Sequence, residues 1–274
     1  MKAQQKSNVL NLRRLWWNLC SHIDSILFPR ICACCNRTLI NAKNSQKQQK
    51  GGLSNSGRLI YDHFLCSKCA DTIVSIKPPL CSICGEPFKT HSGPDHICGR
   101  CLKIRPHFDM ARSIFLYDGA IQTLIHRVKY HGDGFSLKGL SDLAQPFIEI
   151  ILQEFSPDLI CPVPLHDSKL RQRGFNQAAA LAFSIFSKNR SKIVPDILIK
   201  SKKTAPQVGL SRQERFKNIK NSFSLKKPIP PSVKKILLFD DVFTTGATVS
   251  ECAKVLKRER TVNVFVITIA RAPI

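Results

Sequence analysis

The stretch Ile236-Leu237-Leu238-Phe239-Asp240-Asp241-Val242-Phe243-Thr244-Thr245-Gly246-Ala247-Thr248 runs from unbroken apolar residues, through two adjacent carboxylates, into a loop of small and hydroxylated residues. Four apolar residues without alternation suit a strand covered on both faces, so a strand is predicted from Lys235 to Phe239. A helix is predicted to follow from Ala247 to Arg258. Backbone N–H groups at a helix start, joined by threonine hydroxyls, make a cradle for a phosphate dianion. Carboxylates accept hydrogen bonds from vicinal hydroxyls such as those of a ribose. A carboxylate pair followed by a phosphate loop therefore describes a site for a ribose 5-phosphate. An acidic pair before a turn is more often solvated or a helix cap. Here the apolar strand before it and Thr-Thr-Gly-Ala-Thr after it argue for the site. Other phosphate loops fail, because the chain has no Gly-x-x-x-x-Gly-Lys-[Ser/Thr], and Gly132-Asp133-Gly134 has Leu137 where a dinucleotide fingerprint needs its third glycine.

On either side of this segment, short β-rich runs alternate with helical patterns from about Met110 onward. Strands are predicted at Arg112 to Tyr117, Leu159 to Val163, Ile197 to Ile199 and Val262 to Ile269. Helices are predicted at Ala120 to Tyr130, Leu137 to Glu154, Phe175 to Ser187 and Ser211 to Ile219. Alternating β and α argues an α/β fold with an open, mostly parallel sheet, whose ligands lie at the C-terminal strand ends.

Before Met110 the chain has a different character. Eight of its twelve cysteines form four Cys-x-x-Cys pairs: Cys32 with Cys35, Cys66 with Cys69, Cys81 with Cys84, and Cys98 with Cys101. Two residues between thiolates let a tight turn aim both sulfurs at one ion, and two such knuckles complete a closed tetrahedral zinc shell. Two structural zinc sites are expected. Sequential pairing of the knuckles needs the shortest connections, and alternate pairing is the other arrangement the spacing allows. His91 and His96 could each stand in for a cysteine, although four thiolates per site are already available. Cys20, Cys34, Cys161 and Cys252 are expected to be unliganded. Thirteen residues separate Cys84 from Cys98, an ordinary ribbon loop, whereas thirty separate Cys35 from Cys66. Asn41 to Arg58, rich in Lys, Gln, Ser, Asn and Gly, reads as a polar excursion within that longer loop.

At the start of the chain, Val9, Leu12, Trp16, Leu19, Ile23 and Leu27 step by three or four and predict an amphipathic helix. Arg13, Arg14, Asn18, His22 and Asp24 interrupt any secretory core, so a cytoplasmic location and metal rather than disulfides are expected. No apolar run approaches the roughly 18 residues of a membrane span. Three regions follow: a helix over 1–30, a double zinc ribbon over 31–109 and the α/β domain over 110–274. The net charge is +23, which favours phosphate-bearing partners. Between Lys169 and Lys227, fifteen Lys or Arg stand against Asp196 and Glu214, while the rest of 111–274 has eleven residues of each sign. The excess of this domain thus sits in one segment, as a field for pyrophosphate or a nucleic-acid backbone would.

The segment Asp240 to Thr248 resembles the phosphoribosyl pyrophosphate signature of type I phosphoribosyltransferases. Leu27-Phe28-Pro29, the cysteine knuckles, Lys129-Tyr130, Cys161 to Leu165, Arg173-Gly174-Phe175-Asn176-Gln177 and Gln207 through Asn218 resemble landmarks of the ComF (competence protein F) family. The resemblance spans nearly the whole chain and implies a type I phosphoribosyltransferase fold behind a double zinc ribbon. It implies that Asp240 and Asp241 hold ribose hydroxyls, and that Thr244, Thr245, Gly246, Ala247 and Thr248 hold the 5-phosphate. Pro162, Val163, Pro164, Leu165 and His166 would form the pyrophosphate loop, with Arg173 close by. Lys202 to Arg215 would be the mobile segment closing over the reacting centre. Lys200, Lys202 and Lys203 stand where the family often carries arginines, which weakens bidentate phosphate recognition there.

The resemblance also implies phosphoribosyl pyrophosphate with Mg²⁺ as ligand, single-stranded DNA as a partner, and the proteins of DNA uptake as its setting. A transferase would displace pyrophosphate at the anomeric carbon, chiefly by positioning and charge stabilisation. No residue announces itself as general base, and His126, His131 and His166 qualify only by lying near predicted loops. Two classes stay open: a ribose-phosphate-binding protein of DNA uptake, and a transferase of nucleotide metabolism with a small nitrogenous acceptor.

Overall fold

The computed structural model describes residues 30–39, 63–90, 92–204, 211–259 and 261–273. The amphipathic helix, the Asn41 to Arg58 excursion, Cys20, His91 and the middle of the Lys202 to Arg215 segment lie outside the described residues. The chain divides into two units, Met1–Ala70 and Asp71–Ile274. In the first unit, Ile31 bridges Thr38 and the short helix α1 covers Ser67–Ala70.

The second unit is built on four parallel strands: β1 (Met110–Leu116), β2 (Leu159–Pro162), β5 (Lys235–Phe243) and β6 (Asn263–Arg271). Their spatial order is β1-β6-β5-β2, so β5 and β6, each with a run of four apolar residues, are the two inner strands. Ile236, Leu237, Leu238 and Phe239 are all fully buried, as a strand covered on both faces must be. Side chains alternate across a strand. Ile236 and Leu238 join one core with Val249, Cys252, Ala253 and Leu256 of helix α8 (Ala247–Glu259). On the opposite face Phe239 meets Phe186 edge-on, with ring centroids 5.4 Å apart. Phe186 ends helix α6 (Gln177–Ile185), which packs with α4 (Gly134–Phe155), itself packed with α3 (Gly119–His131).

The structure departs from the sequence reading in three places. β5 runs four residues further than predicted, because Asp240↔Thr268, Val242↔Ala270 and Phe243↔Arg271 continue the ladder with β6 after β2 has ended at Pro162. The strand near Ile199 is real as β3 (Leu198–Lys200), but it pairs antiparallel with an unpredicted β4 (Phe223–Leu225). Strands of three residues are too short to show a period. A helix, α5 (Asp167–Arg173), also occupies a stretch for which no element was predicted. Helix α7 (Arg212–Ile219) starts as its sequence suggests, with a reciprocal cap between Ser211 and Glu214.

The second unit includes the Cys81–Cys101 ribbon, with helix α2 (Gly99–Lys103) at its end. Ala111 of β1 donates its N–H to the Ile83 carbonyl at 2.7 Å, and Arg112 Nη1 donates to the Ala111 and Cys81 carbonyls. A side chain at Gly85, where φ is +68°, would place its Cβ 2.4 Å from the Ala111 carbonyl, so this contact requires glycine. The outer edge of β1 is covered by the backbone of Val74 to Ile76.

Candidate functional site: a basic cleft at the end of the central strand

Past the end of β2, the last residues of β5 form the floor of a cleft of about 450 Å³. Alternation sends the two carboxylates to opposite faces of the sheet. Asp241, 8% exposed, lies on the α3 side, where Lys129 Nζ is 3.0 Å from its Oδ2. Burial alone would lower the Lys129 pKa, but Asp241, with Asp240 behind it, raises it, so the ammonium stays charged. Asp240 lies on the α8 side, near Cys252 and Lys200. It is partly open to the cleft, yet enclosure by protein and the neighbouring Asp241 charge push its carboxyl up to about 7. The Asp241 N–H donates to Asp240 Oδ1 at 2.9 Å and fixes that carboxylate.

Phe243 ends β5, and Thr244 to Gly246 turn the chain into α8. Gly246 has φ +78°, and a Cβ there would lie 2.6 Å from Phe243 Cζ, so the turn requires glycine twice over. Thr245 Oγ1 accepts the Ala247 N–H at 3.4 Å. Thr244, Gly246 and Thr248 line the cleft beside the start of the thirteen-residue helix. The cleft is cationic: Lys129, Lys169, Arg173, Lys200 and Arg215 line it, five basic residues against two acidic ones among the described lining residues. Burial and then the neighbouring Arg173 lower the Lys169 pKa; burial and then Lys169 lower that of Lys200. Cations crowded in this way are relieved by an anion.

The residues singled out from sequence are distributed as follows. Asp240, Asp241, Thr244, Gly246, Thr248, Val163, Pro164, Leu165, Arg173 and Arg215 line one cleft, while Thr245 and Ala247 belong to its loop and helix start. Pro162 closes β2. His166 is not part of the lining: its Nδ1 accepts the Ser168 N–H at 3.1 Å and caps α5. Lys202 and Lys203 are exposed and do not line the cleft. His131 is exposed, whereas His126 lines the cleft between Tyr117 and Tyr130, with ring centroids at 6.4 and 5.3 Å. Sequence reasoning gave no site role to Lys129, Lys169 or Asn176. Asn176 Nδ2 donates to the Val163 carbonyl at 3.0 Å and holds the loop after β2, while its Oδ1 caps α6. The sequence signals for these were that Lys129 and Asn176 stand in family landmarks and that Lys169 opens the basic segment ending at Lys227.

The cysteines gather into two quartets, Cys32-Cys35-Cys66-Cys69 and Cys81-Cys84-Cys98-Cys101, each with all four sulfurs within 4.8 Å of one another. Pairing is sequential. Sulfurs at about 2.3 Å from a tetrahedral zinc lie about 3.8 Å apart; Cys35 to Cys66 is 3.7 Å and Cys84 to Cys98 is 3.8 Å. Burial opposes ionisation; backbone N–H donors to sulfur more than offset it at Cys32, held down to about 7, and at Cys81, to about 6, whereas burial, with the neighbouring sulfurs, pushes Cys66, Cys69, Cys98 and Cys101 up. Both donor sets fit structural zinc. His96 is not a ligand: it stacks on Phe88 at 3.7 Å. Cys161 and Cys252 are buried in the apolar core. Metal analysis of the purified chain is expected to give two zinc ions and free thiols only on denaturation in chelator; disulfides without metal would contradict the assignment.

Residues 57–102 match the double zinc ribbon domain family. Competence protein F of Haemophilus influenzae is 34% identical over 214 residues, covering 76% of this chain and 90% of that protein. DNA utilization protein YhgH of Escherichia coli K12 is 32% identical over 200 residues, covering 71% and 84%. Competence protein ComFC of Bacillus subtilis is 26% identical over 224 residues, covering 77% and 85%. Among solved structures, a hypoxanthine phosphoribosyltransferase from Staphylococcus aureus is similar over 50% of this chain and 64% of its own, at 13% identity and a TM-score of 0.32. Among the described residues no helix is long and apolar enough to cross a membrane. With an identity above 30% extending over nine-tenths of a competence protein, and with both cysteine quartets and the β5 carboxylate pair in place, the chain belongs to the ComF (competence protein F) family.

Proposed function

We propose that the cleft binds phosphoribosyl pyrophosphate or a related ribose phosphate with Mg²⁺, and that the protein acts in DNA uptake with single-stranded DNA held on its basic surface. The observation that carries the reading is the sequence of parts at the end of β5: two carboxylates, a glycine turn and a helix start, in one cleft with five cations. Asp240 and Asp241 accept from the ribose hydroxyls, the backbone of Thr244 to Thr248 receives the 5-phosphate, and Lys169, Arg173 and Lys200 face the pyrophosphate. Mg²⁺ bound with the ligand would supply charge neutralisation for the pyrophosphate, and Asp240 is the carboxylate free to support it, since Lys129 already pairs with Asp241. The DNA setting rests on the relatives named for competence and DNA utilization.

A transferase reading has one observation in its favour. His126 stands in the cleft between two tyrosines, where a nitrogenous acceptor would lie against flat rings and could pass a proton to imidazole. The acceptor nitrogen would bond to the anomeric carbon as the bond from that carbon to the pyrophosphate oxygen breaks. Incubation with labelled phosphoribosyl pyrophosphate and each of the free nucleobases tests it through pyrophosphate release.

Salt titration tests the DNA reading. With four or five phosphates neutralised at about 0.7 per contact, log affinity for single-stranded DNA is expected to fall against log salt with a slope near −3 to −3.5. Lys202→Ala with Lys203→Ala should flatten that slope by about 1.4 and leave stabilisation by phosphoribosyl pyrophosphate intact, since neither residue lines the cleft. Loss of both properties would place the strand across the pocket. A wild-type protein without salt-dependent DNA binding would remove DNA from the account.

A further inference from the structure

The second zinc ribbon and the phosphate loop share one buried side chain. Arg271, the last residue of β6, is a cation only 2% exposed. Its Nη1 donates to the Cys84 carbonyl at 2.7 Å, its Nη2 lies 3.7 Å from Cys84 Sγ, and Glu86 Oε2 is 3.9 Å away. The flat guanidinium also covers the Phe243 ring, with its carbon 4.4 Å from the ring centroid. Arg271 and Phe243 are register partners at the ends of β6 and β5. The far edge of the same ring is the atom against which Gly246 turns. A cavity of about 130 Å³ lies behind the loop, lined by Cys84, Cys101, Phe243, Thr245, Gly246 and Arg271. Contact thus passes without a break from a zinc ligand through a guanidinium and a phenyl ring to the glycine of the phosphate loop.

A buried cation is stable only beside compensating negative charge. A zinc ion held by four thiolates carries about two net negative charges and supplies it. Partners of metal ligands orient those ligands and are oriented by them in turn. Metal loss removes both the charge and the fixed Cys84 backbone on which Arg271 rests, and Phe243 then loses the surface that holds it under Gly246.

We propose that Arg271 is a positioning residue that links zinc occupancy of the Cys81-Cys84-Cys98-Cys101 site to the conformation of the Thr244 to Thr248 loop. The loop is competent only when that ribbon holds its metal, and by reciprocity an anion in the loop retains the metal. For the anion, the inference rests on the ribose-phosphate reading above; the link between ribbon and loop does not.

Hydrogen exchange read by mass spectrometry on the full chain separates the two. Chelation of the second-ribbon zinc is expected to raise exchange of the amides of residues 244–248 about tenfold or more beyond the rise that loss of the metal gives across the sheet, read at the β2 amides, residues 159–162; such a factor is within the usual span of site-to-site coupling. Arg271→Lys keeps the charge but loses the two-pronged donation and the flat stacking surface. It should give the same excess rise at the loop, now without a rise at β2, with both zinc ions still bound. Arg271→Met, if it folds, should do likewise. Saturating phosphoribosyl pyrophosphate with Mg²⁺ should slow zinc release from the second ribbon about tenfold in the wild type and not in Arg271→Lys. Unchanged loop exchange in zinc-loaded Arg271→Lys overturns the proposal, as does an equal rise over loop and β2 on chelation, which would mean general destabilisation. If the loop responds to metal but the wild type shows no thermal shift with the ligand, the link stands and the ribose-phosphate reading fails.

Discussion

Asp240→Asn combined with Asp241→Asn is expected to abolish the stabilisation that phosphoribosyl pyrophosphate with Mg²⁺ gives the wild type, while both zinc ions stay bound. A ligand at about a hundred times its Kd stabilises by about 2.7 kcal/mol. For a unit of this size that is a rise in Tm of about 5 to 10 °C, and the rise should vanish in the variant. Hydrogen bonds to ionised carboxylates contribute about 1.5 to 3 kcal/mol each, so losing both weakens binding by two or more orders of magnitude. The single variants should differ without ligand. Asp241→Asn leaves Lys129 without the carboxylate 3.0 Å away and destabilises the protein. Asp240→Asn should do the opposite above neutral pH. The folded pKa of Asp240 is raised from 3.8 to about 7, so the folded state disfavours its ionised form. Stability from this group is fully present below about pH 4 and is lost as pH rises through 7. Relative to Asp240→Asn, the wild type should therefore lose stability across that window, by on the order of one to a few kcal/mol after discounting for cleft water. A difference that grows toward low pH would mean that the carboxylate is stabilised rather than strained.

The second large effect concerns the two zinc sites, which should not be equivalent. Cys81→Ser with Cys84→Ser is expected to remove one zinc and to destabilise the sheet unit by more than about 5 kcal/mol, against the roughly 10 to 16 kcal/mol that structural zinc contributes in small zinc domains. Those four cysteines are all buried, in one core with Ile236, Leu238 and Val266. Cys32→Ser with Cys35→Ser should also remove one zinc, but unfolding of the sheet unit should move little, because that quartet belongs to the other unit and includes an exposed cysteine. Denaturant unfolding followed by hydrogen exchange of the β5 and β6 amides reads the difference. Equal loss of β5 protection in both variants would contradict it.

The extent to which the sequence could be read followed the range of the interactions concerned. The apolar run before Asp240 and the small-residue turn after Thr244 are local, and they placed the central strand, the loop and α8 without outside help. The cysteine knuckles were equally legible, since ligand spacing within a knuckle is a property of a few residues. What escaped was set by distant partners. Lys129 reads as one more basic residue on a helix, and only the fold brings it to Asp241, 112 positions later. Arg271 reads as a lone cation following the largely apolar run Val264 to Ala270, and nothing nearby in sequence signals that it is buried against a ribbon 187 positions upstream. Basic charge was correctly concentrated between Lys169 and Lys227, but its division could not be read: Lys169, Arg173, Lys200 and Arg215 face the cleft, whereas Lys202 and Lys203 face solvent. The extension of β5 to Phe243 likewise depends on pairing with β6, which no local pattern encodes.

The central claim is that the segment from Asp240 to Thr248 holds a ribose 5-phosphate. A crystal structure of the zinc-loaded chain grown with phosphoribosyl pyrophosphate and Mg²⁺ measures this most directly. The account predicts the 5-phosphate on the backbone amides between Thr244 and Thr248, ribose hydroxyls on Asp240 and Asp241, and pyrophosphate toward Lys169 and Lys200. Ligand bound elsewhere on the basic surface, with the loop empty at saturating concentration, would contradict it.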